Sequence, residues 1–116
     1  MKKISVKKAG IQRRVSKIFR DKKERNGNRC FLSGSSYRLT PAHLIRQSHS
    51  IALQDNPRNI IPLDMEVHEM FDNGKFKVLL ERYPFKCMAI IERMRSLDFF
   101  YTNRFLRNNK LEHLIQ

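Results

Sequence analysis

The chain has 116 residues, with 24 Lys and Arg against 11 Asp and Glu and a formal net charge of +13. That length supports one domain with a modest core and excludes two independent ones, while so large a positive charge points to a polyanionic partner, nucleic acid first. No stretch approaches the roughly 20 apolar residues of a membrane span, and no apolar run of signal-peptide length follows the basic start, so a soluble, intracellular, cytoplasmic protein without a membrane partner is expected.

The charge is concentrated in residues 1–29, which carry twelve Lys and Arg, Lys2 and Lys3 among them, against Asp21 and Glu24, and so hold ten of the thirteen net charges. From about Val6 to Arg25 the apolar residues Ala9, Ile11, Val15, Ile18 and Phe19 recur at helical spacing among these cations, predicting a helix with one apolar face. Asn26, Gly27 and Asn28 supply a stop that tolerates left-handed backbone angles. Such an arm, with Arg13, Arg14, Lys17 and Arg20 facing outward, suits sequence-independent docking on phosphates; a merely solvated face or tail is the plain alternative.

Cys30–Leu32 is a short apolar run closed by Ser33, Gly34, Ser35 and Ser36, fitting a strand or a knuckle. Tyr37 to Ile45 alternates loosely and contains Pro41, which argues for an edge or irregular strand. Arg46 to Arg58 is a polar loop about a dozen residues long, a length usually reserved for function. Asn59 to Leu63 reads as a strand, Asp64 as a helix N-cap, Met65 to Phe71 as a short helix, and Asn73–Gly74 as its stop. Phe76 to Leu80 fits a short strand or a turn of helix. Pro84 opens a helix to about Ser96 with Cys87, Met88, Ile90, Ile91 and Met94 inward, and a last helix from about Phe99 to Leu114 uses Phe100, Phe105, Leu106, Leu111 and Leu114 for packing.

The chemistry concentrates between Pro41 and Gly74. His68 and Asp72 are four apart on the predicted helix, so both side chains leave the same face and can hold one metal through an imidazole nitrogen and a carboxylate oxygen. That pair suits Mg, Mn, Ni or Zn alike. A neutral imidazole at His43, at the end of a strand facing the helix, can take a proton from water. Arg46 and Arg58 flank the loop and can clamp phosphate oxygens, though each also reads as an ordinary surface charge. His49 reads as a loop residue and His113 as incidental.

The order His43, Asn59, His68, within AlaHisLeuIle, then Asn, then HisGluMetPheAspAsnGly, resembles the HNH endonuclease family in its Ala-His-Ile … Asn … His-x-x-Phe-Asp-x-Gly branch. The resemblance covers about a third of the chain. It implies an α+β protein built on a small ββα-metal (HNH, His-Me finger) core, with flanking N-terminal and C-terminal helices. Residues 1–29 form a basic helical arm, 30–80 the finger, and 81–116 helices that pack on it. It further implies a metal-dependent endonuclease hydrolysing DNA phosphodiesters, double-stranded DNA being the expected partner, in phage or mobile-element settings among others. His43 would be the general base, Asn59 would pin the loop and hold the base through backbone hydrogen bonds, and His68 with Asp72 would bind one divalent metal. The finger would enter the minor groove while the basic helix grips neighbouring phosphates.

Two departures matter. Commoner motifs place Asp or His before the base as a further ligand, and here Ala42 stands there; Asp55 and Glu69 are candidate substitutes. Many members also carry a four-cysteine zinc site, whereas here Ser33, Asp64 and Val67 accompany Cys30, so no structural zinc is expected. Cys30 and Cys87 are expected to be reduced. Two other functions therefore stay open: a degenerate finger that binds nucleic acid without cutting, and an accessory nuclease active only in a complex. Oligomeric state is not indicated.

Overall fold

A computed structural model describes residues 6–116, so Lys2 and Lys3 of the basic arm lie outside the described residues. Helix α1 (Val6–Arg25) leads to strand β1 (Leu39–His43), strand β2 (Ile60–Asp64) and helix α2 (Met65–Asp72), followed by α3 (Phe76–Arg82), α4 (Pro84–Leu97) and α5 (Phe99–Asn108). The strands pair antiparallel, with Leu39 opposite Asp64, Pro41 opposite Pro62 and His43 opposite Ile60. Both prolines are tolerated because a two-stranded sheet has only edge strands. With α2 directly after β2, the chain is α+β: a ββα finger with helices on both sides.

Local chemistry sets the helix ends. After α1, Gly27 (φ 67°) takes the left-handed position, and the Asn28 N–H reaches back to the Lys23 carbonyl at 2.7 Å. Gly74 (φ 74°) does the same for α2, with the Lys75 N–H on Met70 O at 3.0 Å. These are Schellman closures, which satisfy carbonyls the helix leaves orphaned. The last helix is shorter than the sequence pattern predicts: it stops at Asn108 instead of running to Leu114, and only a 3-10 turn follows at Glu112–Leu114. Its closure uses Lys110 at φ 59°, with the Leu111 N–H on Leu106 O at 2.8 Å.

Three smaller expectations are also settled. Phe76 to Leu80 is helical and belongs to α3, and Cys30–Leu32 is a knuckle rather than a strand. Asn59 ends a 3-10 turn, Pro57–Asn59, immediately before β2. The knuckle is tied to the finger by the Phe31 N–H on Pro62 O (2.8 Å) and by a hydrogen bond from the Ser33 hydroxyl to Asp64 Oδ2. The other oxygen of Asp64 caps α2 through the Val67 N–H at 2.9 Å. The Ser33 N–H donates to Cys30 Sγ at 3.4 Å. One thiol, a hydroxyl, a carboxylate already engaged through both oxygens and an apolar valine do not make a zinc-binding set.

One apolar core runs from the finger into the C-terminal helices. Leu44, Ile45, Ile61, Leu63 and Val67 meet Leu79, Ile91, Met94 and Leu106, all nearly or fully buried. Phe71, Phe76 and Phe105 form an aromatic triangle with ring centroids 5.1 to 5.8 Å apart, locking α2, α3 and α5 together. Two residues assigned to packing are outside. Met88 is exposed on α4, and Phe100 is 83% exposed on α5. On α5 the inward positions are taken by Thr102 and Leu106, with Asn109 buried just beyond the helix end.

Candidate active site

His43 ends β1, and His68 and Asp72 leave the same face of α2, so the finger's geometry brings all three to one open cleft of about 480 Å³ shared with Pro41, Arg46 and Gln47. Alternation along β1 sends Ala42 the other way: it is fully buried in the core and offers nothing to the cleft. The candidate substitutes do not line the cleft either. Asp55 is held by Arg14 at 2.6 Å, whose guanidinium lowers its carboxyl pKa, and Glu69 lies on another side of α2, beside Arg82 and Tyr83.

Each histidine has a nitrogen whose state its partner fixes. His43 Nε2 lies 2.8 Å from the Gln54 carbonyl, an acceptor only, so Nε2 carries the proton and Nδ1 the free lone pair. The Gln47 side-chain amide donates to that Nδ1 at 3.2 Å. His43 is 8% exposed, and burial holds its imidazole pKa below the ordinary value. The Gln54 carbonyl raises it in part; His68 lowers it and Asp72 raises it by weaker amounts. The neutral form, which can accept a proton, is therefore favoured.

At His68 the partner is Thr40. Its hydroxyl donates to Leu63 O at 2.9 Å, so its oxygen must accept from His68 Nδ1 at 2.8 Å. A neutral His68 then turns an unprotonated Nε2 toward Asp72 Oδ2, 3.1 Å away. Two lone pairs at that distance require a cation between or beside them, either a proton or a metal. Two ligands of one ion, each about 2.1 Å from it and at right angles, stand about 3 Å apart, so the pair fits a divalent metal. Among the described residues no cluster of three or more His, Cys, Asp or Glu converges on one point, so His68 and Asp72 have no third such side chain beside them.

Asn59 is fully buried and spans the long loop. Its Oδ1 accepts from Ile45 N at 2.7 Å, and its Nδ2 donates to the carbonyls of Ile45 and Leu53, both at 3.0 Å. Fixing Leu53 places the next carbonyl, that of Gln54, on His43. The other cations are distributed. Arg46 enters the cleft and donates to Asp72 O at 2.5 Å. Arg58 turns away to Ser96 on α4 at 2.9 Å, near Lys22, Arg25 and Arg93; burial first and then these three arginines lower the Lys22 pKa. Arg13, Lys17 and Arg20 are exposed on α1. His49 pairs with Asp98 at 3.0 Å and leans on Tyr101, outside the cleft. Sequence reasoning missed Thr40, Gln47 and the Gln54 carbonyl. A hydroxyl three residues before a candidate base carries no motif, and a backbone carbonyl has no sequence signature.

A strand histidine facing a helical His–Asp pair across a ββα finger, with a buried asparagine tying the intervening loop, defines the His-Me finger class. Residues 30–78 match the family model described as HNH endonuclease, which supports the resemblance of this segment to that family. Helices α1, α4 and α5 lie outside the matched segment. No curated protein and no solved structure matches the chain. Among the described residues no helix is long and apolar enough to cross a membrane.

Proposed function

We propose that this protein is a metal-dependent endonuclease that hydrolyses phosphodiester bonds in DNA. The observation that carries the proposal is the paired orientation of the two histidines. His43 and His68 are each locked by one ring nitrogen, to Gln54 O and to Thr40, which turns His43 Nδ1, under the Gln47 amide, toward a proton and His68 Nε2, beside Asp72, toward a metal. Preset tautomers of this kind are what acid–base and metal chemistry require.

In this reading His43 Nδ1 takes a proton from the attacking water once the Gln47 amide has moved off it. The water oxygen bonds to phosphorus as the bond to the leaving 3′ oxygen breaks, and that oxygen takes up a proton from solvent. A divalent ion held by His68 Nε2 and Asp72 would neutralise charge on the phosphate and assist the departing oxygen. Arg46, anchored on the Asp72 carbonyl, gives a phosphate contact at the same cleft. Asn59 keeps Gln54 on the base. The basic arm, residues 1–29, would hold the backbone of double-stranded DNA through Arg13, Lys17 and Arg20, with Arg14 divided between DNA and Asp55 and with Arg58 in a second basic cluster. The finger, 30–80, would enter the minor groove, supported by helices in 81–116. A cytoplasmic setting fits this activity.

The test is incubation of supercoiled plasmid with purified protein and Mg, Mn or Ni, with EDTA as control. Nicking that is lost in His43→Ala and Asp72→Asn is the expected result; absence of nicking with every metal, or equal nicking by His43→Ala, would refute the enzyme reading. Ala42, where commoner motifs place a further ligand, favours one rival, a finger that binds nucleic acid without cutting. It predicts retarded but intact plasmid.

A further inference from the structure

Beyond the cleft, two recesses continue along α5. One of about 250 Å³ shares Arg46 with the cleft, and the next, of about 560 Å³, shares Tyr101 and Arg104 with the first. The outer recess is lined by Phe100, Arg104 and Arg107, which stand at i, i+4 and i+7 and so form one exposed stripe of α5. At 1.5 Å per residue the stripe is about 10 Å long. Arg107 has no side-chain hydrogen bond or ion pair among the described residues, and Arg104 makes a long contact, 3.5 Å, to His49 Nδ1 and lies over the Tyr101 ring, 5.8 Å from its centroid, with no carboxylate paired to it.

We propose that this track binds a single-stranded stretch of nucleic acid continuous with the cleft, with phosphates on Arg46, Arg104 and Arg107 and one base stacked on Phe100. The proposal rests on the nucleic-acid reading above and adds a surface to it. Phe100 is 83% exposed, and Phe99 supports it edge to face at 5.8 Å. A phenylalanine has no hydrogen-bonding group with which to read a base edge. It can offer only its face, and a base offers a free face only when unpaired. A protein partner would need a wider apolar patch than two phenylalanines, whereas three arginines along a groove suit a backbone of phosphates. The one carboxylate in the outer recess, Asp98, is occupied: Oδ1 accepts the Tyr101 N–H at 2.9 Å, and Oδ2 lies 3.0 Å from His49 Nε2.

Fluorescence anisotropy in EDTA, with a labelled twelve-nucleotide oligothymidine and a blunt duplex of the same length, tests the track without cleavage. Phe100→Ala should weaken oligothymidine binding about tenfold, leave the duplex within about twofold, and be rescued by Phe100→Trp. Arg104→Gln with Arg107→Gln should flatten the salt dependence for oligothymidine by about 1.4 in log–log slope, two phosphates at about 0.7 each. Circular dichroism checks the fold of each variant. The proposal is overturned if wild type does not bind oligothymidine, if the variants bind it as wild type does, or if Phe100→Ala weakens both ligands equally. Plasmid nicking with track-independent binding sinks this inference alone, and track-dependent binding without nicking sinks the nuclease reading alone.

Discussion

Replacing Asn59 by Ala should be among the most damaging single changes to this protein. The side chain makes three hydrogen bonds, to Ile45 N, Ile45 O and Leu53 O, and is wholly out of solvent. Each such bond contributes about 1 kcal/mol net, and the Ile45 N–H stranded without an acceptor adds about another 1 to 2, giving roughly 4 to 5 kcal/mol in all. Against a typical domain stability of about 5 to 15 kcal/mol, that is a large fraction. Urea unfolding followed by circular dichroism measures it: with a slope of about 2 kcal/mol/M, the midpoint should fall by about 2 M. Under conditions where the variant is still folded, nicking should drop further than the folded fraction does, because Leu53 and Gln54 are freed and His43 Nε2 loses its acceptor. A midpoint shift below about 0.5 M, or nicking in proportion to the folded fraction, would refute this account of Asn59.

Thr40→Val removes the acceptor for His68 Nδ1 and should weaken Mn or Ni binding about 10- to 100-fold by calorimetry, with little change in urea midpoint; unchanged affinity would mean that Thr40 does not set the His68 tautomer. The pKa of His43 is lowered in the folded protein, chiefly by burial. The unfolded chain therefore takes up this proton first as pH falls, so His43 favours folding least below its folded pKa, and its contribution rises with pH up to about 6.5. The same neutral base should keep the acid limb of kcat/KM below about pH 6.5; a limb at or above that value would count against His43 as base. Asp64→Ala loses both the α2 cap and the link to Ser33 and should cost about 2 to 3 kcal/mol in urea unfolding. Cys87 is fully buried and its thiol is pushed up to about 12, so thiol reagents at pH 8 should label it only after unfolding.

The finger was legible because its signals are local. Asp64 before Met65, and Gly74 after Asn73, are cap residues at the helix's own ends, and His68 with Asp72 is a four-residue spacing that any helix converts into proximity. The His43–Asn59–His68 order then places β1 and β2 by resemblance. What orients the site was not legible, because those contacts cross between elements: Thr40 reaches His68 over 28 residues, and the Gln54 carbonyl reaches His43 over 11. Likewise, nothing in the sequence distinguishes Arg46, which enters the cleft, from Arg58, which turns to Ser96.

The misreading of α5 has a physical cause that bears on function. Phe99, Phe100, Tyr101, Phe105 and Leu106 put apolar or aromatic groups on most sides of one helix, so periodicity alone does not choose the buried face. Two polar residues choose it. Thr102 is buried because its hydroxyl donates to Asp98 O at 2.7 Å, one turn back. Asn109 is buried because it accepts the Phe76 N–H at 3.0 Å, joining α3 to the end of α5, and donates to Phe105 O at 2.8 Å. With their polar atoms satisfied internally, neither residue bears the usual penalty of burial, and both can sit inward beside Leu106. That rotation turns the opposite stripe outward, and Phe100 goes with it, next to Arg104 and Arg107. The Lys110 turn follows from the same arrangement, since ending the helix at Asn108 frees Asn109 to cap α3. An exposed phenylalanine beside two arginines is thus the counterpart of two satisfied polar residues in the core.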